Sequence, residues 1–84
     1  MSPSQRFVYV LQSLVDSERY YVGRTSDVVT RVSTHNSGGS LYTATLRPWK
    51  LIVSLEFAYE ASAAQFEKYL KTGSGRAFAK RHFN

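Results

Sequence analysis

The 84-residue chain contains no cysteine, which excludes disulfide bonds, thiolate metal sites and a cysteine nucleophile. It also has no apolar run approaching the roughly 20 residues that a membrane-spanning helix needs, and its first residues are too polar for a signal peptide. We therefore expect a cytoplasmic protein that does not enter a membrane. A chain of this length is expected to form one domain, spanning residues 1–84, with a modest hydrophobic core.

The motifs of several common enzyme classes are missing as well. The sequence has no glycine-rich nucleotide-binding loop, no serine–histidine–aspartate set recognisable by its spacing, and no cluster of zinc ligands. Gly73–Arg76 could hold a phosphate through backbone N–H groups at the start of a helix. A plain turn between two helices explains these residues more simply.

Acidic residues are few, and their distribution leaves one end of the chain strongly basic. Eleven Lys and Arg against six Asp and Glu give a net charge of +5. No acid follows Glu67, so the segment after it accounts for the whole excess. Its cations are Lys68, Lys71, Arg76, Lys80 and Arg81. Such clustering favours a polyanionic partner such as nucleic acid, although a solvated basic tail is an equally simple interpretation.

Hydrophobic periodicity predicts an α+β domain in which helices flank a small, three-stranded, largely antiparallel sheet. Two strands joined by a turn are expected to form a β-hairpin, followed by a helix, a strand, a helix and a short final helix. The expected strands cover residues 6–11, 19–23 and 51–57. The expected helices begin near Ser26, at Glu60 and at Arg76. Alternation places four residues of the third strand on one face: Leu51, Val53, Leu55 and Phe57.

The first helix is expected to carry a polar pair beside its apolar stripe. A cap at Thr25 or Ser26 would begin the helix. The stripe consists of Val28, Val29 and Val32. Arg31 and His35 are one turn apart and fall at the edge of that stripe. Such a pair either faces solvent or acts on a phosphate, with Arg31 stabilising negative charge and His35 transferring a proton or holding an oxygen.

Two tyrosines lie on the strands of the expected hairpin. Tyr9 lies in the run Phe7–Leu11, and Tyr21 opens the tripeptide Tyr21–Gly23. Core packing alone could explain both, because half-buried tyrosines are common in strands. A free phenol has a pKa of about 10, so Tyr21 could act as a base at neutral pH only beside a cation or a metal-bound water.

Glu67 is the residue least expected at its position. It falls between Ala63 and Leu70 on the apolar face of the second helix, where an ionised carboxylate is costly unless a cation neutralises it. One explanation is structural: an ion pair with a nearby arginine, or a position at the rim of that face. The other is a divalent metal, because Mg²⁺ is often held by one or two carboxylates together with phosphate and water.

Taken together, these residues resemble the GIY-YIG nuclease superfamily, especially its small single-domain bacterial members. The resemblance extends from Val8 to about Phe83. Val8–Val10 occupies the place of the family's first tripeptide, although the glycine is missing, and Tyr21–Gly23 matches the second. The family's other functional positions fall on Arg24, Arg31, His35 and Glu67. Some members carry a further asparagine after the glutamate, and here only Asn84 follows it.

The resemblance implies hydrolysis of phosphodiester bonds in DNA, with RNA left open, in structure-directed processing or repair. Glu67 would hold one divalent metal, Mg²⁺ or Mn²⁺, and Tyr21, or His35 as the alternative, would activate the attacking water. Arg31 would stabilise the phosphate and Tyr9 would orient the site. The implied catalytic residues are therefore Tyr9, Tyr21, Arg31 and His35. The implied contacts with nucleic acid are Gly23, Arg24, Lys71, Arg76, Lys80 and Arg81.

Two other functions are open at the level of the sequence. A nucleic-acid-binding module without catalysis would account for the basic segment, with an affinity dominated by phosphate contacts. A protein–protein adaptor could use Trp49 and Tyr42 as an exposed patch. The adaptor explains neither Glu67 nor the pair of Arg31 and His35, and the oligomeric state is open in every case.

Overall fold

The computed structural model describes residues 4–83, which form an antiparallel sheet with helices on both faces. The strands are β1 (Phe7–Ser13), β2 (Tyr20–Thr25) and β3 (Trp49–Glu56). The helices are α1 (Val28–Asn36), α2 (Glu60–Leu70) and α3 (Gly73–Phe83), and a single 3₁₀ turn, Ala44–Leu46, precedes β3. The three-stranded α+β architecture predicted from the sequence is confirmed.

The central strand β1 is covered on both faces, as its continuous apolar run predicts. The strand order is β2-β1-β3, and both pairings are antiparallel. Val8 and Val10 are buried against α2 and α3. Tyr9 and Leu11 point to the opposite face, where they are buried with Trp49 and with Val32 of α1. Alternation along one buried strand thus builds two small cores, one on each side of the sheet.

A bulge in β3 moves its side chains from one face to the other. Val53 pairs with Val10, but Leu51 pairs with Leu11, so Ile52 is an extra residue on β3. Paired residues share a face of the sheet, and Val53 therefore faces α2 and α3. Leu51 lies on the side of α1. The prediction that both residues share one face is wrong, because strict alternation does not hold across a bulge.

Helix α1 has a different cap and a different buried face from those expected. Asp27 is the cap, since its carboxylate accepts a hydrogen bond of 3.1 Å from Thr30 N. The prediction that Thr25 or Ser26 caps this helix is therefore wrong. Val29 is 81% exposed and does not belong to the apolar stripe. His35, expected at the edge of the stripe, is only 1% exposed.

Helix α3 begins earlier than expected and is as long as α2, with 11 residues in each. Thr72 caps it, because its side-chain oxygen accepts a hydrogen bond of 3.1 Å from Gly75 N. Gly73–Arg76 is therefore the first turn of α3. The expectation of a short final helix is wrong, and the N–H of Gly75 is already used by Thr72.

Trp49 is buried, and its hydrogen bonds anchor the segment between α1 and β3. Its side chain is buried, and its indole N–H donates a hydrogen bond of 3.0 Å to the carbonyl of Thr43. The backbone N–H of Trp49 donates to Asn36 Oδ1 at 2.6 Å. The prediction of an exposed patch is therefore wrong for Trp49, whereas Tyr42 is exposed.

Within residues 4–83, no helix combines the length and the apolar character needed to cross a membrane. Asn84, the one candidate for the further asparagine that some GIY-YIG members carry, lies outside the described residues.

Candidate active site

Gly23 allows the Tyr9 side chain to reach the outer edge of the sheet. Tyr9 and Gly23 are directly opposite each other in the pairing of β1 with the edge strand β2. A Cβ atom on Gly23 would overlap the Tyr9 hydroxyl and would lie 2.6 Å from Cζ of the same ring. The absence of a side chain at Gly23 therefore makes room for the ring of Tyr9. The strand does not end at Gly23, as was expected, but continues to Thr25.

Three of the residues implied in catalysis meet above Gly23. The Tyr9 hydroxyl is 3.0 Å from Nε2 of His35. The ring of Tyr21 lies 4.6 Å from the ring of His35 and 6.1 Å from that of Tyr9. Tyr9 and His35 are buried, whereas Tyr21 is half-buried. Residues from β1, β2 and α1 thus form one cluster in which only the Tyr21 ring reaches the surface.

Burial determines the protonation of the two inner members of this cluster. Burial raises the pKa of Tyr9 far above its ordinary value, and negative charge on Tyr21 raises it further, while Arg31 acts in the opposite direction. Burial lowers the pKa of His35, and the positive charge of Arg31 adds to this effect. At neutral pH Tyr9 is therefore a protonated phenol and His35 a neutral imidazole.

Arg31 supplies an unneutralised positive charge beside this pair. Its guanidinium is half-buried, and its charge acts on both the Tyr9 hydroxyl and the His35 ring. Within the described range 4–83, its side chain makes no hydrogen bond or ion pair. A cation without a carboxylate partner, next to two neutral hydrogen-bonding groups, is suited to bind an anion.

Glu67 approaches from α2, on the other face of β2, and is held by two cations. Its Oε1 is 3.3 Å from Nε of Arg24, and its Oε2 is 3.3 Å from Nζ of Lys71. Arg24 also contacts Glu60 at 3.4 Å. The structural ion pair considered as one explanation of Glu67 is therefore present. Its negative charge still contributes to raising the pKa of Tyr9, so Glu67 and the tyrosine cluster are electrostatically connected.

The donor groups fit a divalent metal only if the substrate completes the coordination. Glu67 offers one carboxylate, and the part of the chain that is described contains no group of three or more His, Asp and Glu side chains placed to hold a metal. Mg²⁺ is commonly bound by one or two carboxylates together with substrate phosphates and water. Glu67 fits such a site, provided that it exchanges its contact with Arg24 or Lys71 for the metal.

An open groove runs from the tyrosine cluster to the basic end of the chain. We call this groove the basic groove. Its lining includes Arg19, Tyr21, Tyr42, Lys71, Arg76 and Lys80. The groove brings together three of the cations expected to contact nucleic acid, namely Lys71, Arg76 and Lys80. Arg81 is exposed but does not line it. The basic segment is therefore divided between the groove and a separate surface of α3.

Thr43 belongs to the site but was missed by sequence reasoning. It is buried, and its hydroxyl oxygen lies 2.8 Å from Nδ1 of His35 and 3.4 Å from the carbonyl oxygen of Ser40. It lies eight residues after His35 in an irregular segment, where no periodicity predicts which side chains are buried. A threonine next to an exposed tyrosine carries no signal that would have identified it.

Comparison with known proteins identifies the family of the chain. The family described as the GIY-YIG catalytic domain matches residues 5–82, and the chain therefore belongs to the GIY-YIG nuclease family. It is 39% identical over 72 residues to the UPF0213 protein YazA of Bacillus subtilis, covering 84% of this chain and 71% of YazA. It is 39% identical over 69 residues to the UPF0213 protein YsiG of Lactococcus lactis, covering 81% of this chain and 64% of YsiG.

A further relative carries a functional name. The chain is 40% identical over 72 residues to the structure-specific endonuclease subunit SLX1 of Scheffersomyces stipitis. That match covers 77% of this chain but only 21% of SLX1. No solved structure matches the chain significantly. The relatives confirm the family resemblance inferred from the tyrosine tripeptides, Arg31, His35 and Glu67.

Proposed function

We propose that this protein is a metal-dependent endonuclease that hydrolyses phosphodiester bonds in DNA, in structure-directed processing or repair. The observation that carries the proposal is the cluster of Tyr9, Tyr21 and His35 beside the unneutralised Arg31, next to the basic groove. Membership of the GIY-YIG family supports cleavage, and similarity to a relative named as a structure-specific endonuclease supports a branched or flapped substrate.

In this proposal the role of each residue follows from how deeply its side chain is buried. Arg31 binds the scissile phosphate and stabilises the charge that develops on it. Tyr9 stays protonated and orients the cluster through hydrogen bonds. Tyr21 is the better candidate for the base, because its ring lines the groove while both ring nitrogens of the buried His35 are already engaged. In this role Tyr21, as the phenolate, accepts the proton of the attacking water.

Glu67 would hold the Mg²⁺ or Mn²⁺ ion, which would supply positive charge at the scissile phosphate and the leaving oxygen. Its ion pairs with Arg24 and Lys71 give these cations a second role. Released from Glu67, they become free to contact substrate phosphates, and Lys71 already lines the basic groove. Arg24 would still have its contact with Glu60.

One observation favours a second candidate, a nucleic-acid-binding module without catalysis. Glu67 is already neutralised by Arg24 and Lys71, so its charge does not require a metal. In that case the basic groove would bind DNA through phosphate contacts, and the affinity would fall steeply with salt.

The two candidates are separated by incubating the protein with end-labelled branched, flapped and linear DNA. The proposed nuclease cuts branched or flapped DNA in Mg²⁺ or Mn²⁺, stops in EDTA, and resumes when excess metal is added. A Glu67→Gln variant, which keeps the shape of the side chain but removes its charge, should bind the same DNA without cutting it. Binding without cleavage by the unmodified protein, in either metal, would favour the binding module.

A further inference from the structure

Tyr42 has an exposed ring and directly precedes a residue of the candidate active site. Its side chain is 83% exposed and lines the basic groove. The next residue, Thr43, is buried and lies within hydrogen-bonding distance of His35. The backbone that carries Tyr42 is therefore anchored to the tyrosine cluster, while its ring is largely exposed to solvent.

The charge of the basic groove identifies the kind of molecule that fits it. Its lining contains one carboxylate, Glu18, against four cations: Arg19, Lys71, Arg76 and Lys80. Positive grooves that also present exposed aromatic rings are typical of surfaces that bind single-stranded nucleic acid. In a duplex the faces of the bases are stacked on one another, so an exposed tyrosine finds no partner there. An unpaired base offers a free face on which Tyr42 can stack.

We propose that the basic groove binds an unpaired segment of a nucleic acid strand, with Tyr42 stacking on a base and the cations of α3 holding the phosphates. The inference rests on the proposed nuclease function and adds to it the surface that holds the unpaired segment of a flapped substrate, which is the basic groove with Tyr42 as its stacking platform. Arg76 and Lys80 contact the backbone of this segment, since both project from α3 into the groove.

The test is fluorescence anisotropy with a labelled oligothymidine and a labelled duplex, both in EDTA so that neither is cut. Tyr42→Ala should weaken binding of the single strand by about 5- to 100-fold and leave duplex binding within about twofold, because it removes one stacking platform. Tyr42→Phe should bind as the unmodified protein does. Lys80→Ala should weaken the binding of both ligands. For each ligand it should also reduce the slope of the logarithm of the binding constant against the logarithm of salt concentration by about one unit.

Two residues provide matched controls. Tyr59 is also exposed but lies outside the groove, so Tyr59→Ala should bind both ligands normally. Lys68 is an exposed cation that does not line the groove, so Lys68→Ala should have little effect. Equal losses on both ligands in Tyr42→Ala, or no loss on either, would overturn the inference. Because binding is measured without metal, an absence of cleavage by the unmodified protein would contradict only the nuclease proposal.

A second inference follows from the buried hydrogen bonds of His35. The carbonyl of Ser40 can only accept, so Thr43 donates its single hydroxyl proton there, at 3.4 Å. The Thr43 oxygen then accepts a proton from Nδ1 of His35, at 2.8 Å. Nε2 of the neutral ring is left without a proton and accepts one from the hydroxyl of Tyr9, at 3.0 Å.

We infer that Thr43 is a positioning residue, which holds His35 in the Nδ1–H tautomer and thereby directs the Tyr9 proton towards His35. The hydroxyl of Tyr9 therefore has a fixed direction, towards Nε2 of His35. Thr43 thus orients Tyr9 through His35 without touching a substrate.

Nitrogen-15 NMR of the imidazole rings tests this inference without any substrate. The chain contains two histidines, so His82→Gln assigns the signals of His35. The unmodified protein, Thr43→Ser and Tyr9→Phe should show the Nδ1–H tautomer, whereas Thr43→Val, which has nearly the same shape, should shift a measurable fraction to Nε2–H. In cleavage assays Thr43→Val should lower kcat roughly tenfold, the effect of one hydrogen bond, with KM unchanged and recovery in Thr43→Ser.

The inference is overturned if the unmodified protein contains mainly the Nε2–H tautomer, or if Thr43→Val leaves the tautomer unchanged. A protein with the expected tautomer but no cleavage activity would contradict the proposed function and leave the role of Thr43 in orienting His35 intact.

Discussion

Tyr21→Phe is expected to lower kcat for phosphodiester cleavage by about 10²- to 10⁴-fold, the range of general acid–base catalysis, while KM changes little. Phenylalanine keeps the ring, which lies 4.6 Å from that of His35 and 6.5 Å from that of Trp49, and removes only the hydroxyl. The fold and the groove should therefore be unaffected. Single-turnover cleavage of the preferred branched DNA in Mg²⁺, with thermal unfolding of each variant as a check, measures the effect.

The neighbouring tyrosine provides the control. Tyr20 also lines the groove but lies on the opposite face of β2, away from the cluster. Tyr20→Phe should stay within about threefold of the unmodified rate, because it removes a hydroxyl outside the cluster. A Tyr21→Phe variant that cuts at nearly the normal rate, while His35→Gln is inactive, would transfer the role of base to His35.

Local patterns were sufficient to predict most of the fold. The buried run at β1, the turn after it and Tyr21–Gly23 predict the hairpin, because strand pairing over a short turn depends on neighbouring residues. The amphipathic period of α2 likewise predicts its length and places Glu67 on its inner side. The resemblance to GIY-YIG nucleases rests on these same local segments, which explains why it is confirmed even though the first tripeptide lacks its glycine.

The contacts between elements could not be predicted in the same way. Arg24 reaches Glu67 because α2 crosses β2 at that point, and the crossing depends on how two helices pack on one face of the sheet. His35 was expected at the edge of its helix but is buried, because the segment containing Thr43 and Trp49 folds over it. Irregular segments have no period from which such coverage can be inferred.

Gly75→Ala is expected to destabilise the protein strongly, although it adds only one methyl group. A Cβ atom at this position would overlap the carbonyl oxygen of Tyr69 and would lie 2.6 Å from the Cα of Leu70. Both are backbone atoms of α2, so the overlap can be relieved only if α3 moves away from α2 as a unit. Overpacking of this kind costs about 1–3 kcal/mol, and because the clash is with backbone we expect the upper end of that range.

For a domain of this size, about 2–3 kcal/mol lowers Tm by roughly 10–20 °C, which calorimetry or circular dichroism will detect. Gly73→Ala is the matched control: it adds the same methyl group two residues earlier in the same helix, where nothing lies within 4 Å. It should leave Tm unchanged or raise it slightly, since alanine favours the helix by up to about 1 kcal/mol. Similar Tm values for the two variants would contradict the close contact between α2 and α3. Because α3 carries Arg76 and Lys80, the displacement caused by Gly75→Ala should also weaken DNA binding at temperatures where the variant is still folded, whereas Gly73→Ala should bind normally.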